Sequence, residues 1–109
     1  LTLLDADATV IALQDGAIPP NESSTQLDSE VARKIVSLDL IDGTTLIKEA
    51  YFDETEANVT ITGWGVFGGG ATDTPNSGTL IAATPANFTK TNEDSLTVSA
   101  EITVRRYTP

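Results

Sequence analysis

The sequence predicts an all-β protein: an antiparallel β-sandwich or barrel-like domain of six to seven strands with at most one short helix. Three observations carry this. Toward the C-terminus, Leu96, Val98, Ala100, Ile102 and Val104 fall on one face while Thr97, Ser99, Glu101, Thr103 and Arg105 fall on the other. Five alternations of period two leave little room for a helix. Asp42-Gly43 sits between two strand-like arms, a hairpin signal because both residue types accept φ > 0. Polar turns recur at short spacing along the rest of the chain, the pattern of a sandwich or barrel.

Taken in order, residues 8–13 read as a first strand, rich in β-branched residues and closed by Asp15-Gly16. Residues 1–6 either extend it or lead into it. Pro19-Pro20 makes residues 18–24 a loop, since proline donates nothing to a ladder and restricts the residue before it. Residues 25–33 form the one helix candidate, about two turns. Leu27 and Val31 share a face at i, i+4, and Ser24 or Thr25 stands at the cap position. So short a helix requires docking on the sheet.

Residues 34–41 and 44–52 are the hairpin arms. Val36, Leu38 and Leu40 lie opposite Ser37 and Asp39, and Leu46, Ala50 and Phe52 alternate with Ile47, Glu49 and Tyr51. Apolar groups on both faces of the second arm place it inside the assembly of sheets. An acidic connection over 53–58 leads to a strand over 59–67. That strand holds Gly63-Trp64-Gly65-Val66-Phe67, and Gly68-Gly69-Gly70 follows it. Glycine weakens a strand by about 0.5–1 kcal/mol against alanine, so its presence marks a bend or a close approach. Trp64 and Phe67 are expected to fill the space that Gly63 and Gly65 leave. A polar loop over 71–78, a strand from Thr79 to Ala82, and turns at 85–87 and 92–94 complete the chain before its final strand.

One domain of 109 residues buries roughly 60–68% of its unfolded surface, enough for one sheet-on-sheet core. The chain has no cysteine and no histidine, so it lacks a thiolate, the usual general base and the common zinc ligand. Sixteen acidic against six basic side chains give a net charge of −10, a surface that repels nucleic acid and anionic membranes. No apolar run approaches the roughly 20 residues of a membrane-spanning helix. The chain opens on Leu1 without a methionine or a signal-like segment, as expected of an N-terminus that is trimmed or only partly represented.

Chemistry-bearing clusters are few. Asp53, Glu54 and Glu56, and separately Glu93 and Asp94, supply paired carboxylates, but nothing holds two of them across a sugar and solvated turns explain them. Asp73, Asn76 and Ser77 form a conceivable calcium loop without the spacing or the bidentate glutamate of known ones. The glycine triplet has no following lysine, so it is no phosphate cradle. Asn21, Asn58 and Asn87 each head an N-glycosylation pattern, with 24 serines and threonines in the chain making chance matches easy. Arg105 and Arg106 either pair with acids on a neighbouring subunit or keep an edge soluble.

The order of short motifs is more telling. Leu27-Asp28-Ser29-Glu30-Val31-Ala32-Arg33 resembles an L-x-x-E-V-x-R segment of tailed-phage virion proteins. Gly63-Trp64-Gly65-Val66-Phe67-Gly68 resembles their E-x-G-L-F-G. Ser77-Gly78-Thr79-Leu80-Ile81-Ala82 resembles S-G-T-L-L-A, and Thr89-Lys90-Thr91 resembles x-K-T before a terminal strand. The same order occurs more loosely in the N-terminal module of tail-collar and tail-fibre proteins. Gly63-Trp64 stands where the family often carries an acid, and the N-terminal part is shorter.

The resemblance implies a non-enzymatic structural module without a cofactor. It implies a homo-oligomer that contacts other virion proteins, as a capsid decoration, a turret, or a collar or fibre part. Tyr51, Trp64, Phe67, Arg105 and Arg106 are the candidate contact residues, with no nucleic acid, membrane or small molecule as partner. A reading from another class is a cell-surface module that binds carbohydrate or protein through an exposed aromatic. The position of Trp64 discriminates the two.

Overall fold

The structure, a computed structural model, describes residues 6–21 and 23–103. Seven strands build two antiparallel sheets, as the sequence predicts for a sandwich: β1 (Val10–Gln14), β2 (Glu30–Ile35), β3 (Leu38–Asp42), β4 (Thr45–Phe52), β5 (Thr60–Gly68), β6 (Thr79–Thr89) and β7 (Leu96–Thr103). One sheet runs β2-β1-β5-β6 and the other β3-β4-β7. The chain crosses between sheets three times, at Val36-Ser37, at the acidic connection after Phe52 and at the turn after Lys90.

The shared interior is apolar, as sheet-on-sheet packing requires. Ile11 and Leu13 of β1, Leu46, Ala50 and Phe52 of β4, Ile61 and Val66 of β5, and Val98 and Ala100 of β7 meet there. The alternation read in the last strand holds: Val98 and Ala100 are buried while Thr97, Ser99 and Glu101 are exposed. Val104 and Arg105, its last expected pair, lie outside the described residues, as do residues 1–5.

The β3–β4 hairpin forms where Asp42-Gly43 marks it, shifted by one residue. Asp42 pairs with Thr45, so Gly43 and Thr44 make the turn and Gly43 alone takes a positive φ, 62°. That is the demand of a two-residue turn with glycine first.

Three expectations are corrected. Residues 25–33 form no helix. Leu27 is a buried loop residue, and β2 begins at Glu30 and pairs with β1 through Val10↔Ile35 to Leu13↔Ala32. The i, i+4 spacing of Leu27 and Val31 is real, but burial against β1 overrides so weak a helical preference. Residues 85–87 are no turn, since β6 runs through Pro85 to Thr89. β6 ends the sheet among the described strands, and an edge tolerates the missing N–H; a register shift in β5 accompanies Pro85.

The third correction concerns the glycines. Trp64 and Phe67 do not fill the space above Gly63 and Gly65. A Cβ at Gly63 would stand 2.5 Å from Cδ of Pro20, and one at Gly65 would stand 2.6 Å from a methyl of Leu80 and 3.4 Å from Leu27. The bare strand therefore lets Pro20 and Leu27, from the connection between β1 and β2, lie close on the outer face of the larger sheet. Val10, Ala12 and Phe67 are buried under that cover with Leu27, so β1 is enclosed on both faces. The buried Gln14 holds the loop down. Its Nε2 donates to Ile18 O (2.9 Å) and Thr62 Oγ1 (3.1 Å), and its Oε1 accepts from the Asp28 amide (3.0 Å).

Candidate functional site

The charged side chains decide what chemistry the surface offers. Of the six lysines and arginines, Arg33, Lys48 and Lys90 are buried. Arg33 in β2 pairs with Glu30, Nη2 to Oε1 2.7 Å and Nε to Oε2 2.8 Å, with both side chains almost wholly enclosed. Its Nη1 donates to Thr72 O (3.0 Å), Ser77 O (3.1 Å) and Ser77 Oγ (3.0 Å), and the guanidinium lies 4.6 Å from the Phe67 ring centroid. The loop after the glycine triplet is thus clasped to the outer face of the larger sheet. Of the residues that made a conceivable calcium loop, Ser77 already gives its carbonyl and hydroxyl oxygens to Arg33. Among the described residues no group of three or more acidic, histidine or cysteine side chains is arranged to hold a metal.

Lys90 plays the same part at the opposite loop. Its Nζ donates to Asp53 O (2.7 Å) and Asn58 Oδ1 (2.8 Å), and Asn58 Nδ2 donates to Glu54 O (2.8 Å). The acidic connection is a closed turn. The Asp53 amide donates to Glu56 Oε1 (3.0 Å), and Asp53 Oδ1 accepts from Thr55 Oγ1 (2.6 Å) and the Thr55 amide (2.8 Å). Those bonds, the hydroxyl's first, hold the Asp53 carboxyl below the usual aspartate range. Glu56 also pairs with Lys34. At the other acidic pair, Asp94 accepts from Thr91 Oγ1 (3.1 Å). The carboxylates of Asp53, Glu56 and Asp94 are thus engaged within their turns. Asn58, one of the three glycosylation matches, has both ends of its amide engaged in this clasp.

Lys48 is the unexpected member. It shares the inward phase of Leu46, Ala50 and Phe52, is fully buried, and lies 2.9 Å from Asp39 Oδ1 of the neighbouring β3. The pattern Leu46-x-Lys48-x-Ala50-x-Phe52 held the signal, a lysine in phase with a core face.

The aromatic contact candidates do not come together. Tyr51 is exposed on the outer face of the smaller sheet. Phe67 is buried beneath Arg33 on the outer face of the larger one. Trp64 turns inward, packs against the interior and remains half-buried. Arg105 and Arg106 lie outside the described residues. The single patch of Tyr51, Trp64 and Phe67 expected from the sequence is therefore replaced by three separate environments.

Three surfaces among the described residues are open. On the outer face of the smaller sheet, Leu38 (41% exposed), Leu40 (48%) and Tyr51 (49%) stand uncovered, with Ile47 directly opposite Leu40. Where the sheets part, Trp64 and Val66 of β5, Ala82 and Thr84 of β6, and Ala100 and Ile102 of β7 line an open cleft of about 380 Å³. A second hollow of about 310 Å³ lies beside Asn21, Ser24 and residues 80–83 of β6. Comparison with protein-family models gives no match for this chain, and comparison with curated proteins gives none either.

Proposed function

We propose that the chain is a non-enzymatic structural module of a tailed-virus particle. It is one copy of a symmetric assembly on the capsid exterior or at the collar or tail fibre, in contact with other virion proteins. The observation that carries this reading is the contrast between charged and apolar groups. Arg33, Lys90, Asp53 and Glu56 are tied into loops, whereas Leu38, Leu40 and Tyr51 stand exposed on one sheet face, with Glu49 opposite Leu38. Uncovered apolar side chains grouped on one sheet face mark a surface that a protein partner covers. The motif order from Leu27 to Thr91 supports the same placement. The test is a mass-spectrometric inventory, with copy counting, of particles released by cells that carry the gene. The chain is expected in a copy number that is a multiple of the particle's symmetry, and its absence from particles would sink the reading.

The position of Trp64 favours a second reading, a cell-surface module that binds carbohydrate or protein. The indole lines an open cleft beside Thr84 and Ser99, a ring next to hydroxyls. The only tryptophan in the chain makes the check direct. Titration with oligosaccharides should leave its fluorescence unchanged under the first reading and shift it under the second.

A further inference from the structure

We infer that the outer face of the smaller sheet docks a basic protein partner, one that sets lysine or arginine side chains around an apolar centre. This deepens the reading of the chain as a module in contact with other virion proteins, and rests on it only for where the partner comes from.

Five acids lie within the described strands: Glu30 of β2, Asp39 and Asp42 of β3, Glu49 of β4 and Glu101 of β7. Glu30 pairs with Arg33 and Asp39 with Lys48. The other three share one face. Asp42 is in phase with Leu38 and Leu40, Glu49 stands opposite Leu38, and Glu101 stands opposite Ile47. None of the three forms an ion pair within the described residues. The four described cations are committed elsewhere: Arg33 and Lys90 to loops, Lys34 to Glu56 and Lys48 to Asp39.

These carboxylates are interleaved with the exposed apolar groups. Leu40, Ile47 and Glu101 form one row across the three strands, and Leu38, Glu49 and Ser99 form the next. Tyr51 follows Glu49 on the same face of β4 and is 49% exposed. Residues directly opposite lie about 4.5–5.5 Å apart and diagonal ones about 7–8 Å. Glu49 and Glu101 are such a diagonal pair, so two like charges repel across the face with no cation between them. A lysine or arginine from a partner removes that repulsion, and its alkyl stem covers apolar surface beside it.

Charge complementarity selects the occupant. A second copy would set three carboxylates against three, and nucleic acid or an anionic membrane would add more negative charge. A neutral apolar partner would bury Glu49 and Glu101 without counter-charges, which is costly. A basic protein surface supplies apolar cover and counter-charge together.

The test uses three helical peptides of one length as probes: one with leucines along a face flanked by lysines, one with serine in place of leucine, and one with glutamate in place of lysine. Titration of the full chain gives the affinity, and amide chemical shifts locate the site. The first peptide should bind most tightly, weaken as salt rises, and move the amides of residues 38–51 and 97–101. Glu49→Gln combined with Glu101→Gln should weaken it by about tenfold or more, and should melt no lower than the parent because neither side chain loses a partner. Leu40→Ser should bring the first peptide down to the affinity of the serine peptide.

If the first two peptides bind alike, with shifts spread over the acidic turns at 53–56 and 91–94, the attraction is a general one between opposite charges and the inference is wrong. Tightest binding by the glutamate peptide overturns it as well. On purified particles, carbodiimide coupling should join Glu49 or Glu101 to a lysine of a different protein, and coupling only to another copy of the chain would contradict the inference. Should the chain be missing from particles, the virion reading fails by itself and the peptide titrations decide the face.

Discussion

Arg33→Met tests whether the clasp on the outer face of the larger sheet holds the fold together. The guanidinium makes five hydrogen bonds, two to Glu30 and three to the 72–77 loop, and lies on Phe67. Glu30 and Arg33 side chains are 1% and 2% exposed, so removing the arginine leaves a carboxylate enclosed without its partner. Breaking a buried pair in this way costs about 3–5 kcal/mol. Domains are stabilised by only about 5–15 kcal/mol in all, so the loss is a large fraction. For a chain of this size it lowers the melting temperature by about 12–20 °C, at roughly 4 °C per kcal/mol. Urea denaturation gives the free energy, and the double variant Arg33→Met with Glu30→Gln should recover much of it because no charge is then stranded. Exchange of the Thr74 and Ser77 amides should accelerate in the single variant. A loss under about 1 kcal/mol, the scale of an exposed surface pair, would mean that the clasp does not stabilise the fold.

Gly65→Ala and Gly63→Ala should each cost about 1–3 kcal/mol by thermal melting, because the new methyl meets Leu80 or Pro20 and the covering loop must lift. Gly43→Ala meets nothing within 4 Å, so its cost should be the backbone penalty alone, about 1–2 kcal/mol at φ 62°. Lys90→Met should cost about 1–3 kcal/mol and speed exchange across residues 53–58, since Asp53 O and Asn58 Oδ1 lose their donor. Asp53 gives a pH signature. Its folded pKa is depressed by the Thr55 hydroxyl, then the Thr55 amide, so its stabilisation is fully present above the ordinary value of 3.8 and is lost as pH falls through the folded value. Asp53→Asn should flatten that acid limb in melting experiments between about pH 2 and 4, and an unchanged limb would contradict the assignment.

Much of the fold is legible because it rests on local pattern. The alternation from Leu96 onward, the Asp42-Gly43 turn and the glycine-aromatic strand each report a backbone requirement that a short window contains. What escapes is decided by distant partners. Residues 30–33 read as the end of a helix until β1 lies beside them, and Pro85 reads as a turn until its strand is seen at an edge. Arg33, Lys48 and Lys90 look like ordinary surface cations in sequence. Arg33 and Lys90 are covered by loops 32 to 44 residues away in sequence, such as Ser77 over Arg33 and Asp53 under Lys90. Of the three cations, only Lys48 was marked locally, by its phase with Leu46 and Ala50. The contact surface was the least legible part, since Tyr51, Trp64 and Phe67 lie close in sequence yet point to three environments.

Static light scattering over a wide concentration range, at low and at high salt, measures whether the chain self-associates. The expected result is a mass that climbs from one chain to a small whole-number multiple and does so at lower concentration when salt is added. A mass fixed at a single chain throughout would rule out a self-assembling β-sandwich.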